Sequence, residues 1–176
     1  DNGDEAQKVF DAIPETMGGT IAGGDITRRI MDSFNKNPNQ GTQALSLMND
    51  NAARASLGSL EYRFKTKAID RAAASDKRVL IGVGGQGAGK STLILSMMKK
   101  YPQMFGGALD APHTSFESLS HDIDMALRRG AKVTVPFMDT PPDVAINRIF
   151  DRSNSEEMRH VARADTSVAH SNAHKA

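Results

Sequence analysis

The stretch Gly84-Gly85-Gln86-Gly87-Ala88-Gly89-Lys90-Ser91-Thr92 constrains this chain more than any other. It fits G-x-x-x-x-G-K-[ST], the phosphate-binding loop pattern. Its flanks supply the context the pattern needs. Upstream, Arg78-Val79-Leu80-Ile81-Gly82-Val83 is a short apolar, β-branched run that reads as a buried parallel strand. Downstream, Leu93, Ile94, Met97 and Met98 recur at helical spacing. Between a strand and a helix, glycines let the backbone take conformations closed to other residues, so successive N–H groups converge on one anion. The helix N-terminus adds a partial positive charge. The pattern assigns Gly84 to Thr92 to a nucleotide's phosphates, Lys90 to the β- and γ-phosphates, and Ser91 to Mg²⁺. A turn that is merely tight is the plainer reading. It leaves the Lys-Ser pair unaccounted for.

Composition narrows the class. The 176 residues suffice for one domain, or one domain with a small appendage. Hydrophobic residues make up 39% and charged residues 24%, as expected of a soluble globular protein. The formal net charge of +1 argues against a broad nucleic-acid-binding surface. There is no Cys, which excludes disulfides, thiol catalysis and Cys-ligated zinc. No apolar run has the length of a membrane span, and no signal peptide opens the chain. The start at Asp1 reads as a piece of something longer.

Residues 1–77 read as a helical N-terminal region without recognisable chemistry, and 78–176 as the nucleotide-binding domain. Asp4 to Ile13 is an expected helix, stopped by Pro14. Met17 to Gly24 reads as a flexible turn with no nucleotide role, because its glycines lack the G-x-G-x-x-G spacing. Asp25 is an expected N-cap for a helix with Ile26, Ile30, Met31 and Phe34 on one face. A loop at 35–41, a helix from Thr42, and a longer helix from about Leu60 to Ala74 follow. Their apolar faces pack on the rest of the chain or form a docking surface for a protein partner. Arg71 and Lys77 read as solvated charges.

Beyond the loop, Phe105 to Asp110 is a short expected strand ending in a carboxylate. Thr114-Ser115-Phe116-Glu117 reads as a capping box with Thr114 at the N-cap. The helix it opens places Phe116, Leu119, Ile123 and Leu127 on one face, with His121 solvated. Lys132 to Met138 is a second clear strand, which Pro136 confines to an edge or a bulge. Thr140-Pro141-Pro142-Asp143 opens a last helix, with Thr140 as the capping hydroxyl and Ile146, Ile149 and Phe150 inward. Arg148 and Arg152 share one face of it. The tail from Ser153 is polar; of His160, His170 and His174 only the last two, four apart, have a spacing that suits metal ligands, and a solvated tail or a lid segment is the plainer reading. Alternating strands and helices give an α/β fold with a small parallel sheet. Ligands then bind at the carboxyl ends of the strands.

Three features fall on that edge: the loop, Asp110 and Asp139. Phosphoryl transfer asks for a phosphate cradle, a metal, cations on the migrating group and a positioned acceptor hydroxyl. Arg148 and Arg152 suit the cations, or else pair with Asp143, Asp151 or Glu156 at the surface. Asp110 is the candidate general base. It is otherwise a metal-linked carboxylate or a turn residue. Asp139 reads as a turn or cap residue near the nucleotide. His113 and Thr114 are candidates to touch substrate.

The loop, the segment Asp110-Ala111-Pro112-His113-Thr114-Ser115-Phe116, the helix running to Arg129-Gly130-Ala131-Lys132-Val133, and Asp139-Thr140-Pro141-Pro142 with Arg148 and Arg152 together resemble the zeta toxin family of P-loop kinases. Arg159-His160-Val161 and His170 extend the resemblance, which covers roughly residues 78–172. It implies a P-loop kinase fold and ATP- or GTP-dependent phosphorylation of a hydroxyl on UDP-N-acetylglucosamine. It also implies a cytoplasmic site of action, either bacterial or in a target cell. Lys90 and Ser91 match the family's phosphate and magnesium positions, and Arg148 and Arg152 its lid-side arginines. In the family, a strand after the loop's helix bears the catalytic Asp, followed by an Arg. Here no Asp-x-Asp and no following Arg stand between Lys100 and Asp110. Either Asp110 has taken that task, or the substrate differs, or the domain is inactive. No final strand is expected before the chain ends, which leaves 132–138 on an edge.

The competing expectation is a nucleotide-binding interaction module of a larger secreted or mobile-element protein, with 1–77 as its docking surface. An ATPase or GTPase switch is disfavoured by the lack of N-K-x-D and of D-x-x-G after the loop.

Overall fold

The computed structural model of the chain describes residues 2–27, 30, 51–111, 113 and 115–153. Four strands carry it: β1 (Ile21–Gly23), β2 (Arg78–Ile81), β3 (Phe105–Asp110) and β4 (Lys132–Thr134). They form one all-parallel sheet in the order β1-β3-β2-β4. Its helices are α1 (Asn2–Ala12), α2 (Asn51–Ala74), α3 (Lys90–Lys100), α4 (Phe116–Arg128) and α5 (Pro142–Ser153). None of the described helices is long and apolar enough to cross a membrane.

Strand alternation divides the core in two. Val79, Ile81 and Val83 point to one face with Leu109 and Ala22, where α1, α2 and α4 cover them through Phe10, Phe64, Ile69, Leu119 and Met125. Leu80 and Ala108 point to the other face, where Ile94 and Met98 of α3 meet them with Ile21 and Phe105. The molecule is thus a helix–sheet–helix sandwich.

The segment expected to be a flexible turn is ordered, and it supplies β1. Ile13 sits in the extended region before Pro14, which ends α1 in a 3₁₀ turn over Pro14–Thr16. The Thr16 hydroxyl lies 2.9 and 2.8 Å from the carbonyls of Phe10 and Ile13, and accepts from Gly19 N at 3.0 Å. Those bonds replace the ones a loop would otherwise make to water. The chain then runs out as a buried strand whose Ile21, Ala22 and Gly23 pair with Ala108, Leu109 and Asp110. Three residues are too few to show strand periodicity in the sequence.

Helix α2 begins at Asn51, earlier than its apolar spacing suggests, and buries Phe64, Ala68, Ile69 and Ala72. The alanines matter because β3 bulges where it meets them. Arg78 pairs with Phe105 but Val79 with Gly107, so Gly106 is the extra residue. A Cβ on Gly107 would stand 2.9 Å from the Ala68 carbonyl carbon and closer still to its oxygen. One on Gly106 would stand 2.8 Å from the Ala72 Cα. Helix and strand therefore touch through their backbones. Phe10 and Phe64, stacked with centroids 4.0 Å apart, hold α1 onto α2. Arg71, read as solvated, pairs instead with Asp11 at 2.6 Å across the same two helices.

Of the apolar face expected on α4, Leu119 and Ile123 pack inward, whereas Phe116 and Leu127 do not. Phe116 and Leu127 are 61% and 54% exposed, while Leu119, Asp122, Met125 and Ala126 are buried. Its N-cap is Ser115, whose hydroxyl accepts from Ser118 N at 3.2 Å. Strand β4 stops at Thr134, short of the expected Met138, and Pro136 interrupts the ladder. Pairing resumes beyond it: Val83 N donates to Pro136 O at 3.0 Å and Met138 N to Val83 O at 2.8 Å. The strand lies at an edge of the sheet, as Pro136 requires. The expected loop at 35–41, the helix from Thr42, residues Met31, Phe34, Pro112 and Thr114, and the histidines at 160, 170 and 174 lie outside the described residues.

Two glycines separate close packing from open helix. Gly107→Ala should destabilise the fold by about 1–3 kcal/mol, because it overpacks a backbone contact. Gly58→Ala, on α2 with nothing within 4 Å, should stabilise it by up to about 1 kcal/mol. Urea denaturation of both variants checks the pair.

Candidate functional site

Adjacent strands β2 and β3 send their chains to opposite faces. From β2 the chain enters α3 on one face, and from β3 it enters α4 on the other. A parallel sheet opens a crevice at the carboxyl ends of such a pair, and ligands bind there. The glycine-rich loop and Asp110 are the two strand ends that border this crevice. Ile81 pairs with Leu109, which puts Asp110 beside Gly82, two residues before Gly84.

The loop turns through Gly84, Gly87 and Gly89, whose φ angles are 151°, 76° and 93°. Gly89 is the N-cap of α3 and no side chain caps the helix. The first-turn N–H groups of a helix have no intrahelical partners. The Lys90 side chain turns back to the loop's carbonyls. It is buried, and its Nζ donates to Gly84 O at 2.9 Å and Gly85 O at 2.8 Å. Ser91 and Thr92 are exposed on the same turn. Gln86 Oε1 is buried with no hydrogen-bond partner, an unsatisfied acceptor within the loop.

The far wall comes from the chain after β4. Thr140, expected to cap α5, instead donates from Oγ1 to Ala88 O at 3.0 Å. Arg148 is exposed and its Nη1 donates to Gly87 O at 3.3 Å, so its guanidinium lies over the loop. Ala145 is fully buried, and a Cβ on Gly87 would meet its carbonyl carbon at 3.0 Å. Asp139 is exposed between this wall and the sheet. Arg152 follows Arg148 by one helical turn, and its side chain lies outside the described residues.

His113 is 1% exposed, so it is not a surface for substrate. Its Nδ1 lies 3.3 Å from Gly82 O and its Nε2 3.1 Å from Asp122 Oδ2. Lys65 of α2 reaches the same carboxylate, 2.9 Å from Oδ2 and 3.3 Å from Oδ1. Burial pushes the Asp122 carboxyl up. The hydrogen bond from His113 and the Lys65 charge outweigh it, and the group ends below the ordinary aspartate value. Apolar periodicity could not reveal these residues, because the inward position on α4 is a carboxylate. The available signal was a charged residue in phase with Leu119 and Met125–Ala126.

Among the described residues no group of three or more His, Asp or Glu is placed to hold a metal ion. A hydroxyl such as Ser91 beside phosphate oxygens is a donor set that suits Mg²⁺, which keeps several waters and binds few protein ligands.

Removing one partner of a buried ion pair strands the other. Asp122→Ala should cost about 3–5 kcal/mol. The folded carboxyl is depressed, so its contribution is full above the unfolded value of about 3.9 and is lost as pH falls through the folded value. The acid limb of stability against pH should therefore be shallower in Asp122→Asn than in the parent, as read by thermal unfolding between pH 2 and pH 5.

No protein-family model matches the chain, and no curated protein matches it either.

Proposed function

We propose that the chain binds a nucleoside triphosphate at residues 84–92 and transfers its terminal phosphoryl group to a hydroxyl of a small molecule, in the manner of a zeta-toxin-like P-loop kinase. The observation that carries this reading is the buried Lys90 ammonium, held by the loop's own carbonyls above an uncapped helix start. A buried cation at a helix N-terminus is a poor structural choice and a good phosphate ligand. The strand order and the crevice between β2 and β3 suit it as well.

In this reading Lys90 and the backbone N–H groups bind and orient the phosphates. Arg148, already over the loop, places a permanent charge on the migrating group. Asp110, at the neighbouring strand end, accepts the proton of the acceptor hydroxyl. Bound Mg²⁺, with Ser91 among its ligands, would supply charge neutralisation between phosphate oxygens. UDP-N-acetylglucosamine is the acceptor implied by the family resemblance. ATP and GTP are equally compatible. A nucleotide-binding module without transfer is the second reading, favoured by the lack of an Arg after Asp110.

Lys90→Ala should weaken Mg²⁺–ATP binding by about 10- to 100-fold, a buried charge-assisted contact being lost. Gly87→Ala should do the same through backbone strain and collision with Ala145. Isothermal titration checks both. Incubation with γ-labelled ATP and nucleotide sugars checks transfer. Label on the sugar that disappears in Asp110→Asn supports the kinase, whereas bound nucleotide with label only in free phosphate leaves the module.

A further inference from the structure

The backbone ladder between β2 and β3 ends as Gly82 N donates to Leu109 O at 3.3 Å. Past this point the two chains part toward opposite faces. The Gly82 carbonyl then meets an imidazole rather than another strand. That imidazole belongs to His113, three residues beyond Asp110 and buried. We propose that His113 is the positioning residue of the crevice, a strut that holds the entry of the glycine-rich loop against the Asp110 strand end and is anchored by the Asp122–Lys65 pair.

Three observations support it. First, the contact spans the place where the ladder stops. Second, both neighbours of the ring are acceptors. Gly82 O has no proton to give, and Asp122 is held ionised. The ring satisfies both only when each nitrogen carries a proton. Third, the anchor is itself fixed from another element. Lys65 binds Asp122 from α2, one turn before the Ala68 that touches β3.

Among the described residues, the charged groups linked to the ring are Asp122 from α4, with Lys65 and its partner Glu61 from α2, 3.5 Å apart. From β2 it meets the Gly82 carbonyl. Loss of one ring proton leaves one bond. The charge-assisted bond to Asp122 persists, and the contact with Gly82 becomes lone pair against lone pair. The loop entry is then released.

The consequence for nucleotide affinity rests on the phosphate-site reading above; the strut itself does not. Nuclear magnetic resonance on ¹⁵N-labelled full-length protein separates the two. Both His113 nitrogens should carry protons in the folded protein, and the Gly84 and Gly85 amide signals should move in His113→Gln. A bare Nδ1, or loop amides indifferent to the substitution, would each overturn the strut. For Mg²⁺ with a non-hydrolysable ATP analogue, affinity should fall by about tenfold in His113→Gln, in proportion to a small misplacement of the loop. The variant keeps a donor for Asp122, and an unchanged affinity in it would count against the strut. If the parent binds no nucleotide at all, the phosphate-site reading fails, and the resonance measurement alone decides the strut.

Discussion

The carboxyl edge of this sheet depends on how near α2 comes to β3. Gly106 and Gly107 leave no side chain between the strand and the Ala68–Ala72 face of the helix. At backbone contact, Lys65 reaches Asp122 at 2.9 Å, and Asp122 in turn fixes His113. A buried carboxylate is tolerable only with such partners, since an isolated one would neutralise or unfold. Small residues in the core therefore make possible a charged network at the site.

The N-terminal stretch enters the same argument. It supplies β1, which pairs with the free side of β3 and makes β3 an interior strand. Gly23 stands opposite Asp110, and a Cβ on Gly23 would lie 3.1 Å from the Asp110 carbonyl oxygen. Asp110 is thus flanked by strand ends on both sides, one leading to the glycine-rich loop and one to residues 24–27. The stretch also brings α1, tied to α2 by the Phe10–Phe64 stack and the Arg71–Asp11 pair. Sheet edge, helical cover and the Lys65 anchor all come from sequence that precedes the phosphate-binding pattern.

Legibility in the sequence followed the length of each signal. The strand–loop–helix unit at 78–100 was readable, because apolar strand, glycines and helical period each span several residues. So was the edge placement of the chain around Pro136, since a missing donor has one consequence. β1 was not readable. Its three residues lie between glycines, and they become a strand only because β3 offers them a partner. The buried face of α4 was legible only through Leu119 and Ile123, for a related reason. Apolar spacing picks out Phe116 and Leu127, but the inward position is held by Asp122, whose burial depends on residues 57 and 9 positions away. Thr140 was assigned a local cap and Arg71 to solvent, and each is taken by a partner from a distant segment.

That lesson bears on the motif itself. Its glycines have reasons that involve no ligand. At Gly84 a Cβ would lie 3.0 Å from Met138 O, and at Gly87 it would enter the backbone of Ala145. The packing of the β4–α5 connection alone would demand glycine there. Gly89 differs, having a φ of 93° with its nearest outside atom, Arg148 Nη1, at 3.8 Å. Its conformation starts α3 without a capping side chain. Lys90 adds a buried ammonium, and Ser91 an exposed hydroxyl, at that same turn. The fold accounts for the first half of the motif by packing. At Gly89-Lys90-Ser91 the fold shows instead a left-handed helix start, an ammonium on two loop carbonyls and an exposed hydroxyl.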